Sequence, residues 1–107
     1  MKINSANVQL NPKGQRHHDH IKQGKLSCNR ADLEYLIGTP HGPKGEDNKV
    51  SAEWYLVTNH GPVTVHDYWA FNEDEFAIDA ATIQAGREAV NYFKTNGLQA
   101  YMLTGEM

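Results

Sequence analysis

Residues 48–71 read NKVSAEWYLVTNHGPVTVHDYWAF, and this stretch decides the fold. From Lys49 to Thr58 the chain alternates. Val50, Ala52, Trp54, Leu56 and Thr58 point one way; Lys49, Ser51, Glu53, Tyr55 and Val57 point the other. Asn59-His60-Gly61-Pro62 is turn chemistry, because Asn and Gly tolerate positive φ and Pro cannot donate to a ladder. Alternation resumes from Pro62 to Phe71, so the stretch is expected to be a β-hairpin. A two-residue loop at His60-Gly61, or a four-residue loop from Asn59 to Pro62, gives one pairing. Thr58 then faces Val63, Leu56 faces Val65, Trp54 faces Asp67, Ala52 faces Trp69 and Val50 faces Phe71. These pairs form a nearly continuous apolar face that holds both tryptophans. A slip by one residue would set apolar against polar positions. Each Trp can bury roughly 150–250 Å², worth about 4–6 kcal/mol as an upper bound.

The other face of the hairpin carries Tyr55 opposite His66 and Glu53 opposite Tyr68, an exposed strip of aromatic and hydrogen-bonding groups. Asp67 is the exception on the apolar face. A buried carboxylate needs a donor, and the Trp54 indole N–H or the backbone at a helix start would serve.

Two helices flank the hairpin. The first spans 30–37: Asn29 caps it, Asp32 follows three residues later, and Leu33, Leu36 and Ile37 form its buried edge. Gly38 ends it and Pro40 prevents its resumption. The second spans about 80–95, with Asp79 as its cap and Ile83, Gly86, Val90 and Phe93 in one stripe. Gly86 costs about 1 kcal/mol there relative to Ala, which close approach of helix to sheet would justify. Short strands are expected at Val8–Leu10, Phe76–Ile78 and Leu98–Leu103. Asn72-Glu73-Asp74-Glu75 is expected to be an acidic turn. The fold class is α+β: a small antiparallel sheet built on the hairpin, with both helices on one face.

At 107 residues the chain is read as a single domain. Hydrophobic content is 39%, so the core is modest. Cys28 is the single cysteine, so no disulfide can form within the chain, which fits a reducing compartment. No apolar run reaches the length of a membrane span and no leader pattern opens the chain, so a cytoplasmic protein without a membrane partner is expected. Charge is polarised. The first 28 residues carry five bases and one acid; the remainder carries five bases and twelve acids. Residues 11–25 are expected to be a basic, His-rich loop or arm, either packed on its own acidic body or meeting a partner of its own.

The pattern around the hairpin resembles small proteins of phages and large DNA viruses over about residues 29–78. A short helix ends in Leu36-Ile37-Gly38-Thr39-Pro40, Lys49-Val50-Ser51-Ala52-Glu53-Trp54 follows, and after the glycine turn comes Val65-His66-Asp67-Tyr68. His66 stands where that last motif has a tyrosine. The resemblance implies a viral accessory protein, for which binding a host factor is a common role.

Chemistry-bearing clusters are few. His17-His18-Asp19-His20 offers imidazoles and a carboxylate for zinc or nickel. On an extended segment only His18 and His20 share a face, and the spacing matches no zinc template, so a solvated polar loop is the simpler reading. His41 and His60 sit in turns. There is no Gly-x-Ser-x-Gly elbow and no phosphate-cradling glycine loop. No motif requires a cofactor. Nucleic acid could be held by the basic arm with Tyr55 and Tyr68 as stacking platforms, but Glu73, Asp74, Glu75 and Asp79 would repel phosphate.

The expected function is stoichiometric binding of a host protein, inhibiting a host enzyme or an anti-phage defence complex. Glu53, Tyr55, His66 and Tyr68 form the expected contact strip, with Glu73, Asp74, Glu75 and Asp79 as an acidic rim or phosphate mimic. The enzymatic alternative is a metal-assisted nuclease or hydrolase using His17–His20. The third is a nucleic-acid-binding module using the basic arm.

Overall fold

The computed structural model describes residues 8–10, 21–42, 52–67 and 74–103. Among these, the elements in chain order are β1 (Val8–Leu10), β2 (Ile21–Ser27), α1 (Arg30–Ile37), β3 (Glu53–Thr58), β4 (Gly61–His66), β5 (Glu75–Ala80), α2 (Ile83–Thr95) and β6 (Gln99–Met102). The strands form one antiparallel sheet in the order β1-β3-β4-β5-β2-β6. Both helices join one hydrophobic core on a single face of the sheet. The α+β class and the two-helix layer are therefore as the sequence indicates.

The hairpin keeps its faces but not its pairing. Thr58 pairs with Gly61, Leu56 with Val63 and Trp54 with Val65, so the two-residue turn is Asn59-His60. Relative to expectation the partners shift by two residues. An even shift leaves every side chain on its own face, which is why the alternation survives. Thr58 fixes the tighter turn: its Oγ1 accepts from the His60 N–H at 3.1 Å and donates to the Gly61 carbonyl at 2.7 Å. Gly61 sits at φ 124°, where a side chain would be strained. Pro62 falls inside β4, but beyond the last β5 pair, Val63 with Ala80, so its missing N–H breaks no bond on that side. Residues Val50, Trp69 and Phe71 of the expected hairpin lie outside the described residues.

The core face carries Trp54, Leu56, Val63, Val65, Phe76, Ile78 and Leu26, all essentially buried. Trp54 meets Phe76 edge-on at 5.8 Å. Its indole N–H donates to the Gly38 carbonyl at 2.7 Å, tying the sheet to the end of α1. The Asn29 side chain caps α1 by accepting from the Asp32 N–H at 2.8 Å. Leu33, Leu36 and Ile37 are its buried residues. Asp67 is not served by the Trp54 indole, which donates to the Gly38 carbonyl. It extends the ladder past His66: its N–H donates to the Ala52 carbonyl and its carboxylate accepts from the Ala52 N–H at 3.1 Å.

Two elements differ from expectation. Residues 21–25, read as part of a basic arm, belong to β2, an inner strand between β5 and β6. And α2 begins at Ile83 with Thr82 as its cap, not at Ala80 with Asp79. The alternation that starts at Phe76 simply continues through Asp79 and Ala80, which pair with Thr64 and Val63. Of the expected stripe, Gly86, Val90 and Phe93 are buried, with Ala85, Ala89 and Tyr92 beside them, and Ile83 is exposed. Among the described residues, no helix is long and apolar enough to cross a membrane.

Candidate functional site

The face of the sheet away from the helices carries Glu53 and Tyr55 from β3, Thr64 and His66 from β4, Glu75, Ala77 and Asp79 from β5, and Lys22 and Lys25 from β2. Period-2 geometry puts them on one side. Glu53 stands directly opposite His66, not Tyr68; Tyr55 stands opposite Thr64, not His66. These two corrections follow from the shifted pairing.

The expected exposure of this strip is also corrected. Tyr55 is 0% exposed and Glu53 3%. Tyr55 stacks on His41 with ring centroids 5.1 Å apart and planes 8° from parallel. Its hydroxyl donates to Glu53 Oε1 at 2.7 Å, and its backbone N–H donates to His41 Nδ1 at 2.9 Å. An Nδ1 that accepts from an amide carries no proton, so His41 is the neutral tautomer protonated at Nε2. His41 reaches this position because Gly42 pairs with Glu53 beside β3. Thr64 and Ala77 are buried too, so the face is covered around Glu53, Tyr55, Thr64 and Ala77 and exposed at Val57, Lys22 and Tyr101.

His66 organises the centre. Its Nε2 lies 2.8 Å from Asp79 Oδ2 and its Nδ1 lies 2.7 Å from the Asp67 carbonyl. A carboxylate and a carbonyl are both acceptors, so both ring nitrogens must donate and the ring is an imidazolium. Its pKa is raised accordingly. Burial pulls it down but is outweighed by the bond and charge of Asp79, the Asp67 carbonyl and the charge of Glu53. Asp79 Oδ1 is buried without a hydrogen-bond partner, so the bond to His66 is the chief compensation for this carboxylate.

The acids expected as a rim separate into two groups. Asp79 lies within β5, bonded to His66, and Glu75 forms a 3.5 Å ion pair with Lys25. Part of the basic segment thus neutralises part of the acidic body inside one sheet. Asp74 is exposed and faces outward. Beside it is Cys28, whose N–H donates to the Asp74 carbonyl at 3.0 Å. Burial, then the charges of Asp32 and Asp74, push the Cys28 thiol up to about 11, so it is a poor nucleophile at neutral pH. Tyr68, Glu73 and the His17–His20 cluster with His18 and His20 lie outside the described residues. Among the described residues no group of His, Cys, Asp and Glu is arranged to hold a metal ion.

Chemically, the centre is a closed polar network. His66 has no free lone pair with which to take a proton, and the Glu53 and Tyr55 side chains engage each other. What remains for a partner is peripheral. Tyr35 on α1 is 71% exposed, one helical turn from the exposed Asp32. Tyr101 on β6 is 46% exposed, beside a shallow hollow of about 450 Å³ lined by Lys94, Leu98 and Gln99 among others. Neither tyrosine was singled out from the sequence. Their signal was available: Tyr35 lies off the Leu33, Leu36, Ile37 stripe, and Tyr101 alternates with Ala100 and Met102. No family model, curated protein or solved structure matches the chain.

Proposed function

We propose that this is a small accessory protein of the phage type that acts by stoichiometric binding, inhibiting a host enzyme or an anti-phage defence complex in the host cytoplasm. The carrying observation is the acidic corner where α1 meets the start of β5. Asp32 and Asp74 are both exposed and close enough to Cys28 for both charges to act on its thiol. Tyr35, the most exposed large apolar side chain among the described residues, stands one turn along α1. An aromatic anchor beside exposed acids that form no ion pair among the described residues suits a basic groove on a protein that handles nucleic acid. Glu53, Tyr55, His66 and Asp79 then act as the rigid support of the sheet, and not as the contact itself.

The test is a complex purified from host lysate and measured by size-exclusion chromatography with light scattering. One protein at a fixed ratio is expected, lost on Tyr35→Ala and weakened at least tenfold by Asp74→Lys. A complex indifferent to both substitutions would place the contact elsewhere. Inhibition at far below one equivalent would mean turnover, and not occupancy.

A further inference from the structure

The acidic corner does not involve β6, at the end of the sheet. Among the described residues β6 pairs with β2 alone. The Leu103 N–H donates to the Gln23 carbonyl at 2.8 Å, and Tyr101 pairs with Lys25. In an antiparallel ladder the direction of the backbone groups alternates, so the N–H and C=O of Ala100 and Met102 point outward. Edge strands in monomers are usually guarded by a charge, a proline or a bulge. From Leu98 to Leu103 (LQAYML) there is none of these. Tyr101 and Leu103, at 46% and 44% exposed, stand on the face without helices.

We propose that β6 is a self-pairing edge: two copies of this chain join β6 to β6 antiparallel about a two-fold axis through Tyr101. Three features select a second copy over another occupant. First, only the residue on a two-fold axis meets its own copy, and here that residue is the uncharged Tyr101, flanked from Leu98 to Leu103 by residues that bring no charge into the pair. Second, the outward groups sit at Ala100 and Met102, symmetrically about Tyr101. Ala100 of one copy therefore exchanges both bonds with Met102 of the other, and each ladder completes its partner. Third, Tyr101 falls at the non-hydrogen-bonded position, where opposed Cα atoms approach to about 4.5 Å and aromatic pairs add favourable contact. Leu103 then lies against Gln99 of the partner, covering both exposed apolar side chains. One short strand pair covers less than the ~800 Å² per partner of a standard interface, so the dimer is weak and concentration-dependent.

Sedimentation equilibrium on the full chain over a hundredfold concentration range tests this. A monomer–dimer equilibrium is expected, with dimer lost in Tyr101→Glu, which sets two like charges face to face at an exposed site that the monomer tolerates. The pairing is checked by oxidation in a Cys28→Ser background. Tyr101→Cys is expected to cross-link to a covalent dimer. Gln99→Cys is not, because its two copies lie four residues apart along the ladder, beyond disulfide reach. A monomer at every concentration overturns the proposal. In that monomer, slow hydrogen exchange at the Ala100 and Met102 amides would mean that the chain's own residues cover the edge, and fast exchange that the edge is left to another protein. A dimer unaffected by Tyr101→Glu, or cross-linking equally through Gln99→Cys, overturns it as well.

Discussion

His66 shows how far a residue's chemistry follows from its neighbours. Both ring nitrogens face acceptors, so the folded state requires the proton on each. The folded pKa is raised above the ordinary value near 6.5. Below about 6.5 the ring is protonated folded and unfolded, and the stabilisation is fully present. As pH rises through the folded pKa the proton leaves and the stabilisation is lost, with Asp79 left buried opposite a neutral ring. Urea denaturation of the wild type should therefore show stability falling from pH 6 toward alkaline pH. His66→Leu should cost about 1.5–3 kcal/mol at pH 6 and flatten that dependence. An unchanged slope in the variant would assign the pH dependence to another group. In the sequence, alternation put Glu53, Tyr55 and His66 on one side correctly. It could not show that the side was covered, because periodicity reports direction and says nothing of what lies above. The stacking of His41 on Tyr55 comes from a turn fourteen residues away, for which no local pattern exists.

At the scale of elements, the seat of α2 on β2 is the most constrained contact. A Cβ built on Gly86 would lie 2.6 Å from the Gln23 Cβ, and one on Gly24 would lie 2.9 Å from both a Val90 methyl and the Tyr101 carbonyl oxygen. The helix and strand touch through their glycines. Gly86→Ala therefore sets two effects against each other. Helix propensity favours Ala by about 1 kcal/mol. Overlap with Gln23 opposes it, and the obstructing atom is a Cβ fixed to the strand, not the end of a flexible chain, so a backbone shift of the usual ~1–3 kcal/mol cost follows. Net destabilisation of about 0–2 kcal/mol is expected from thermal or urea unfolding; a more stable variant would show that α2 can lift off β2 freely. The same contact explains why β2 escaped a reading by periodicity. The pairing with β5 slips between Lys22 and Gly24, a bulge at Gln23, so the two-residue period breaks mid-strand. The inward position at Gly24 has no side chain to signal it. At β5 the opposite error arose: Asp79 is a good cap residue by type, and its capping preference masked a strand that runs on to Ala80.

Across the whole molecule, the sheet is closed by its earliest segments. β1 pairs with residues 56–58, and β2 inserts between β5 and β6, far later in the chain. Contacts between such distant segments carry a loop-closure cost before they are rewarded, so folding is expected to be slow for a chain of this size. The charge division along the sequence has the same resolution: Lys25 pairs with Glu75 and Lys22 lies opposite Asp79, so part of the basic start lies against the acidic body in the finished sheet. Truncation separates the roles of the two strands. Deleting residues 1–10 removes an edge of three residues with buried Val8 and half-buried Leu10. A loss of about 2–4 kcal/mol follows from that burial, a fall in Tm of roughly 10–25 °C with the cooperative transition kept. Deleting residues 1–27 removes β2. β6 then loses the one strand it pairs with among the described residues, and α2 loses the Gln23 and Gly24 surface on which it sits. No cooperative melt should remain by circular dichroism. If the shorter chain still unfolded in one sharp transition, β2 would be an accessory to a sheet complete without it, and the opening residues would again have to be understood as an arm.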